Sequence, residues 1–527
     1  MSFDYFTNEQ LFPLLVGAVV LLVSLVFYSL PKTKKLGIPT LFLGALVLGY
    51  FVANLDHFLI LWDEQYHALV AKNLIDSPLK PVLYSDPAFP CDHKIWTGNH
   101  VWLHKQPLFL WQMAISIKLF GVSELAIRIP SVLMHAIIPL FIYRIGTHVR
   151  NQNTGYFGAF LFTVAYFPLE LVVGRYATDH NDIAFMFYLT ASFWAWFEYQ
   201  QSGKKYWILL IGLFSGGAVL VKWLMGMLIY VVWFLSKVIF EPDTRWKLKS
   251  YLPLAISGLL SMIIFIPWQI YALSNYPDEY LYEYERTNSH LWKAIEGHSE
   301  SFFYHFTDGL NKLYGSGALV PIILLLALVL LITKMKNAKY KFVIVFSITF
   351  VYVLFTLAQT KMVAFPIIVA PFVFLALGHL LSSLFDFLSS KIRMKWLSTT
   401  ICAITLLLFG FMNLNLDKIQ NYHTDWKPHD NHKRAWEIAE MKSIRLIQEN
   451  LNTDYVVFNT SVTYEGNIPT MFYTGITAYS FIPSEEQVQE VKRQNKKIAV
   501  LDLGNLPSYI HEDANIKVLD VRGILPN

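Results

Sequence analysis

LFPLLVGAVVLLVSLVFYSL, residues 11–30, decides the fold: it is an uncharged run of the length, about 20 residues, that crosses the hydrocarbon core of a bilayer as a helix. No basic segment precedes it and no small-residue cleavage site follows, so it reads as an uncleaved first span. Comparable runs recur at 38–58, 130–147, 153–173, 180–199, 250–271, 313–333, 342–360, 364–385 and 397–416. Gly216, Gly217 and Lys222 interrupt 206–240, which reads as two short spans, 206–221 and 224–240, giving about twelve in all. With 55% hydrophobic and 15% charged residues among 527, and a mean hydropathy of +0.41, the chain is a polytopic membrane protein.

The basic residues provide an independent check on that count, because cytoplasmic connections collect lysine and arginine. Every second connection carries them: Lys32, Lys34 and Lys35; Arg144 and Arg150; Lys204 and Lys205; Arg245, Lys247 and Lys249; Lys334, Lys336, Lys339 and Lys341; Lys391, Arg393 and Lys395. A single span over 206–240 would put the last three clusters on the wrong side. Both ends of the chain, the loops 61–128, 174–182 and 272–311, and the turn around Lys361 are therefore expected on the extracytoplasmic side. A net charge of +4 implies no nucleic-acid partner. Cys91 and Cys402 lie in unlike contexts and make no disulfide framework.

From Asp417 the composition turns polar. Arg434–Asn450 has helical spacing, while Asp454–Asn459, Lys497–Leu503 and Ile516–Val521 read as strands, so 417–527 is expected to be a small α/β domain following a membrane domain, 1–416.

Two charged points stand in the first outer loop. Asp63 and Glu64 follow Trp62 and open an amphipathic segment, Glu64–Val70, expected to lie along the interface; on that helix Asp63 and His67 share a face and Glu64 points about 100° away. A carboxylate beside a low-dielectric medium holds its proton more tightly, which suits a general base near neutral pH; two solvated acids capping a helix are the alternative. Lys105 precedes the apolar Leu108–Ala114, where a cation either grips a lipid-linked phosphate or snorkels. Lys222 and Lys361 are the other lysines at outer edges, and Arg175, Asp179 and Asp182 occupy the loop after 153–173. Charge at a membrane edge points to function, with an Arg175–Asp179 pair at i,i+4 as the structural alternative. Cys91, Asp92, His93, His100, His104 and His298 are metal-competent but match no zinc framework; a divalent cation at His104 and His298 is an open candidate.

Several segments carry a pattern in their order. Asp63-Glu64-Gln65-Tyr66-His67-Ala68 is close to Asp-Glu-x-x-Tyr-Ala with Tyr66 one place early, and Lys105-Gln106-Pro107-Leu108-Phe109-Leu110-Trp111 is close to Lys-Pro-Pro-Leu-x-x-Trp. Lys118–Gly121, Arg128–Ser131, Thr178-Asp179, Val219–Trp223, Glu296–His298 with Phe303-Tyr304, and Thr356 through Lys361 to Phe365 and Pro371 continue it. Over about residues 60–375 the chain resembles the GT-C membrane glycosyltransferases, specifically the bacterial branch related to protein O-mannosyltransferases and the aminoarabinose transferase that modifies lipid A. Its departures are His104 for glutamate, Gln106 for proline, Trp223 for glycine, Phe365 for tyrosine, Arg286 or Lys293 in place of an arginine near Asn288, and an insertion over 84–102.

The resemblance implies an EC 2.4 type hexosyl- or pentosyltransferase in a bacterial cytoplasmic (inner) membrane. It would move a sugar from a polyprenyl-phosphate donor to a lipid, protein or glycan acceptor at the outer face, with inversion and with no required cofactor. Asp63 would be the base, with Glu64 and Asp179 orienting the acceptor or tuning it. Lys105, Lys222, Lys361 and Arg175 would hold the donor phosphate, and Tyr66, His298 and Arg286 would contact the acceptor or its loops. A transporter or flippase of a lipid-linked saccharide is the alternative, though such proteins bind at the midplane between repeats and here the charges gather at one surface.

Overall fold

The computed structural model describes residues 7–174, 180–295, 297–315, 317, 319–392, 394–421 and 433–526. Helices α1 (Asn8–Ser29) and α2 (Lys34–Ala53) pair as an antiparallel hairpin, and α1 turns Phe12, Leu15 and Val19 outward, as a lipid-facing helix does. The first outer loop then contributes α3 (Asp63–Asn73) and α4 (Pro107–Phe120). The chain re-enters through α5 (Glu124–Val149), α6 (Gln152–Thr163), α7 (Tyr166–Val173), bent 49° from α6, and α8 (His180–Ser202).

Next come α9 (Tyr206–Lys222) and α10 (Leu228–Phe240), joined by a short 3-10 turn. They are not one continuous helix. Ser215 Oγ donates to the carbonyl of Gly226 at 2.7 Å, and a Cβ at Gly226 would stand 2.6 Å from the Val219 nitrogen, whereas eleven residues of helix would span about 16 Å. The chain therefore folds back on itself, as the two spans predicted at 206–221 and 224–240 require.

The remaining helices are α11 (Leu252–Asn275), α12 (Pro277–Ser289), α13 (Asp308–Tyr314), α14 (Val320–Lys334), α15 (Ala338–Leu357), α16 (Ala370–Lys391), α17 (Lys395–Leu414) and α18 (Leu416–Asn421). Each predicted span contains helix. Among the described residues eight helical stretches are long and apolar enough to cross a membrane when α9 and α10 are counted together as one (Tyr206–Phe240), or nine with the bent α6–α7 pair, which establishes an integral membrane protein. The inner packing relies on small residues: Gly158 and Gly378 let α6 and α16 touch backbone to backbone, since a Cβ on Gly378 would sit 2.3 Å from the Gly158 nitrogen.

After α19 (Lys433–Asn450) the chain builds a parallel sheet from β1 (Tyr455–Phe458), β2 (Thr477–Ala478), β3 (Lys497–Asp502) and β4 (Ile516–Asp520), in the order β2-β1-β3-β4. The strand cores, Val456–Phe458 and Ile498–Leu501, are buried continuous apolar runs, as a sheet covered on both faces demands. Helices α20 (Asn467–Thr474), α21 (Glu485–Arg493) and α22 (Ser508–Glu512) fill the crossovers. The short β2 was not apparent in the sequence, because two residues carry no alternation to read. Cys91 is exposed and Cys402 buried, both as free thiols.

Candidate active site

Helix α3 starts at a strained point. Trp62 holds φ +78°, a region L-residues rarely adopt, and from there Asp63 takes the first position of the helix, where the aligned backbone dipoles favour a carboxylate. The Asp63 side chain is 13% exposed and its Oδ1 lies 3.8 Å from Lys105 Nζ. That distance is longer than a hydrogen bond. The base and the phosphate-binding cation expected from the sequence thus face each other across about forty residues of loop.

Glu64 points away from this pair and is fully buried. Arg128 of α5 grips both its oxygens at 2.8 Å, Ile60 N donates to Oε2 at 2.6 Å, and His180 Nε2 stands 3.1 Å from Oε1. Arg128 spends its remaining donors on the carbonyls of Ala53, Asp56 and Phe58. Burial opposes ionisation of Glu64, but Arg128 and His180 outweigh it and hold the carboxyl below the usual range. Of the two roles expected for Glu64, orienting the acceptor or tuning Asp63, the first is corrected, because the side chain has no surface to offer; it anchors the turn that opens α3. The rest of α3, through Ala71, is buried as well; α4 lies along one side and α20 covers another, with Lys72 Nζ donating to the Met471 and Phe472 carbonyls. His67, which shares the Asp63 face of the helix, is packed between Trp102 and Phe109.

The departures around Lys105 have a common destination. His104 Nδ1 meets Glu283 of α12 at 3.0 Å, and Gln269 of α11 donates to Gln106 Oε1 at 2.8 Å while accepting from Tyr280. Burial and the adjacent Lys105 hold His104 below its ordinary pKa. Burial raises the Glu283 carboxyl, but His104, Arg286 and Lys105 together pull it below the usual range. Arg286 lies over the Trp96 ring at 5.8 Å and Tyr284 packs on Trp223 at 5.9 Å. Three residues of α12 thus bridge the Lys105 loop to the Lys222 turn.

Lys222 pairs with Asp182, which is 1% exposed, and passes over the Phe365 ring at 5.3 Å; the next residue, Trp223, holds φ +68°. A positive-φ tryptophan therefore stands beside both Asp63 and Lys222, the kind of local strain that a fold retains where geometry is used. Lys361 turns inward: Nζ donates to the carbonyls of Phe355 at 3.2 Å, Thr356 at 2.5 Å and Ala358, capping the end of α15, and burial lowers its pKa. The backbone carbonyl of His298 accepts from the Lys361 backbone N–H at 3.0 Å. No group of three metal-competent side chains forms among the described residues, so His104 and His298 are not joined by a third ligand. Tyr66 is buried against Trp96 and Trp102. Arg175 and Asp179 lie outside the described residues.

Residues 104–271 match the family of dolichyl-phosphate-mannose-protein mannosyltransferases, a segment that runs from His104 past Lys222 to the end of α11. The apo ArnT of Cupriavidus metallidurans superimposes with a TM-score of 0.60 at 13% identity, over 88% of this chain and 89% of that one; ArnT bound to undecaprenyl phosphate gives 0.61 at 12%, over 87% and 88%. The fold is that of the GT-C glycosyltransferases. The archaeal oligosaccharyltransferase AglB of Archaeoglobus fulgidus, in complex with an inhibitory peptide and a dolichol-phosphate, shares this GT-C fold at 0.54 and 11% identity, over 84% of this chain and 64% of its own. An uncharacterised protein of Aquifex aeolicus (strain VF5) is 24% identical over 276 residues, 51% of this chain; the match spans about half, 49%, of that relative's length. Within the GT-C frame, sequence reasoning missed Arg128, His180 and Glu283. Arg128 was visible as part of Arg128-Ile129-Pro130-Ser131, but nothing local tells which carboxylate an arginine will meet 64 residues away.

Proposed function

We propose that the chain is an integral-membrane glycosyltransferase that transfers a sugar from a polyprenyl-phosphate donor to a lipid, protein or glycan acceptor on the extracytoplasmic face of a bacterial inner membrane, with inversion. The observation that carries this is the Asp63–Lys105 pair: a partly open carboxylate at a helix start, facing an ammonium across 3.8 Å. Asp63 takes the proton from the acceptor O–H as that oxygen bonds to the anomeric carbon. The bond from that carbon to the phosphate oxygen breaks, and polyprenyl phosphate leaves with the electron pair. Lys105 and Lys222 meet the growing negative charge on the departing phosphate, where a fixed cation is stronger in the transition state than in the bound donor. Glu64, Arg128 and His180 hold the turn that aims Asp63, and Asp182 aims Lys222. Lys361 supports the loop from beneath, through the carbonyls it caps. The match of the GT-C fold to an ArnT bound to undecaprenyl phosphate supports the donor class.

The test is turnover of a polyprenyl-phosphate sugar in membranes that contain the native acceptor. Asp63→Asn should lower turnover by at least about 10³-fold while the protein inserts and melts normally, in line with removal of a general base together with its charge. Lys105→Ala should weaken donor binding at least tenfold. Wild-type turnover in Asp63→Asn would end the assignment.

A further inference from the structure

A cavity of about 420 Å³ opens between the first outer loop and the C-terminal sheet domain, within the size range of about 300–1,000 Å³ typical of small-ligand pockets. One wall is the 84–102 insertion, including Tyr84, Phe89 and Asp92; the other includes Glu465, Asn467 and Tyr479. Its floor is aromatic: Tyr84 and Tyr479 stack at 5.3 Å and 17°, and Phe89 lies 5.0 Å from Tyr479.

Above that floor stands a buried amide whose oxygen has no partner among the described residues. Asn467 is 3% exposed; its amide nitrogen donates to the Tyr84 hydroxyl at 3.0 Å, and its Oδ1 accepts nothing from the described residues. A buried oxygen left this way is destabilising, so Asn467 is short of one donor among the described residues. Glu465 beside it holds φ +61°, a second local strain, and burial keeps its carboxyl raised. The lining holds two carboxylates, Asp92 and Glu465, and neither lysine nor arginine, a balance that rejects phosphate. Aromatic faces to receive C–H groups, with carbonyl and carboxyl oxygens to receive O–H groups, together match a neutral sugar ring.

The cavity adjoins the candidate active site. Glu465 neighbours the Tyr66 hydroxyl, one helical turn beyond Asp63 on α3, and Tyr464 packs on Trp62 at 5.0 Å. We infer that this cavity binds a neutral hexose ring of a glycan acceptor, so that the C-terminal domain and the insertion select the acceptor while the membrane domain holds the donor; the acceptor role rests on the transferase reading above.

Binding is measured on the full-length protein in detergent micelles without donor, by saturation-transfer NMR with the methyl glycosides of glucose, mannose, galactose and N-acetylglucosamine. At least one should bind, with glucose 6-phosphate at least tenfold weaker. Asn467→Ala and Phe89→Ala should each weaken binding at least tenfold, and Lys105→Ala should leave it unchanged. If none of the four probes binds the wild-type protein, or if Asn467→Ala and Phe89→Ala bind like wild type, the inference is overturned. Loss in Lys105→Ala alone would place the sugar on the donor side and overturn it equally. Because no donor is present, a failed Asp63→Asn turnover test would remove the acceptor role without touching the binding result.

Discussion

Glu64 and Arg128 show how charged residues behind a candidate site can support it without facing it. Their carboxylate and guanidinium are 0% exposed and make a two-pronged pair that also satisfies Ile60 N–H, the carbonyl at the end of α2 and two loop carbonyls. Removing one partner leaves the other buried and uncompensated, which costs about 3–5 kcal/mol. Glu64→Ala should therefore lower the thermal midpoint of the solubilised protein markedly, whereas Asp63→Asn, at a partly open site, should leave it nearly unchanged. Equal melting curves for Glu64→Ala and wild type would show that the pair does not hold this turn. Adjacent acidic residues look alike in a sequence, and periodicity alone separated them, by placing Glu64 about 100° from Asp63 on the helix. It told that the two diverge; only the packing of α5 told which one faces inward.

At the scale of elements, the sequence disclosed the membrane helices well, because an uncharged run of bilayer length has few other uses. The hairpin of α9 and α10 was legible for the same reason, once the lysine clusters were required to alternate. What was not legible is α12. Its residues Glu283, Tyr284 and Arg286 reach His104, Trp223 and Trp96, contacts far apart along the chain that no local pattern encodes. The departures at His104 and Gln106 were visible, but their meaning, a tie to α11 and α12, required the fold. In the C-terminal domain one element carries its own pH signature. Glu440 of α19 is buried and accepts from Thr463; burial lifts its pKa from 4.5 to about 7 against that hydrogen bond. A folded-state pKa above the unfolded value means that the contribution of Glu440 to stability is complete below about pH 4.5 and is lost as the pH rises through about 7. Glu440→Gln, which keeps an oxygen for Thr463, should raise the melting midpoint at pH 8, by up to about 3 kcal/mol in stability, and change it little at pH 5. A gain of the same size at both pH values would separate the effect from titration of Glu440.

For the whole molecule, the proposed chemistry depends on which side of the membrane the 61–128 loop and the C-terminal domain occupy, and the chain carries its own reporters. The alternation of lysine clusters predicts that the loop lies outside, and the docking of α20 on α3 ties the sheet domain to whichever side the loop occupies, so that both walls of the cavity and the Asp63–Lys105 pair lie together. Cys91 sits exposed in that loop, while Cys402 is 2% exposed within α17, packed towards the Leu381 carbonyl. A membrane-impermeant maleimide added to spheroplasts with an intact inner membrane should label the wild-type protein once, at Cys91. Cys91→Ser should abolish labelling, and Cys402→Ser should leave it intact. Inside-out vesicles should protect Cys91 until detergent is added. Labelling of Cys91 only in inside-out vesicles would turn the molecule over: Asp63 and Lys105 would then face the cytoplasm, and an extracytoplasmic transfer would be impossible however well the site was formed.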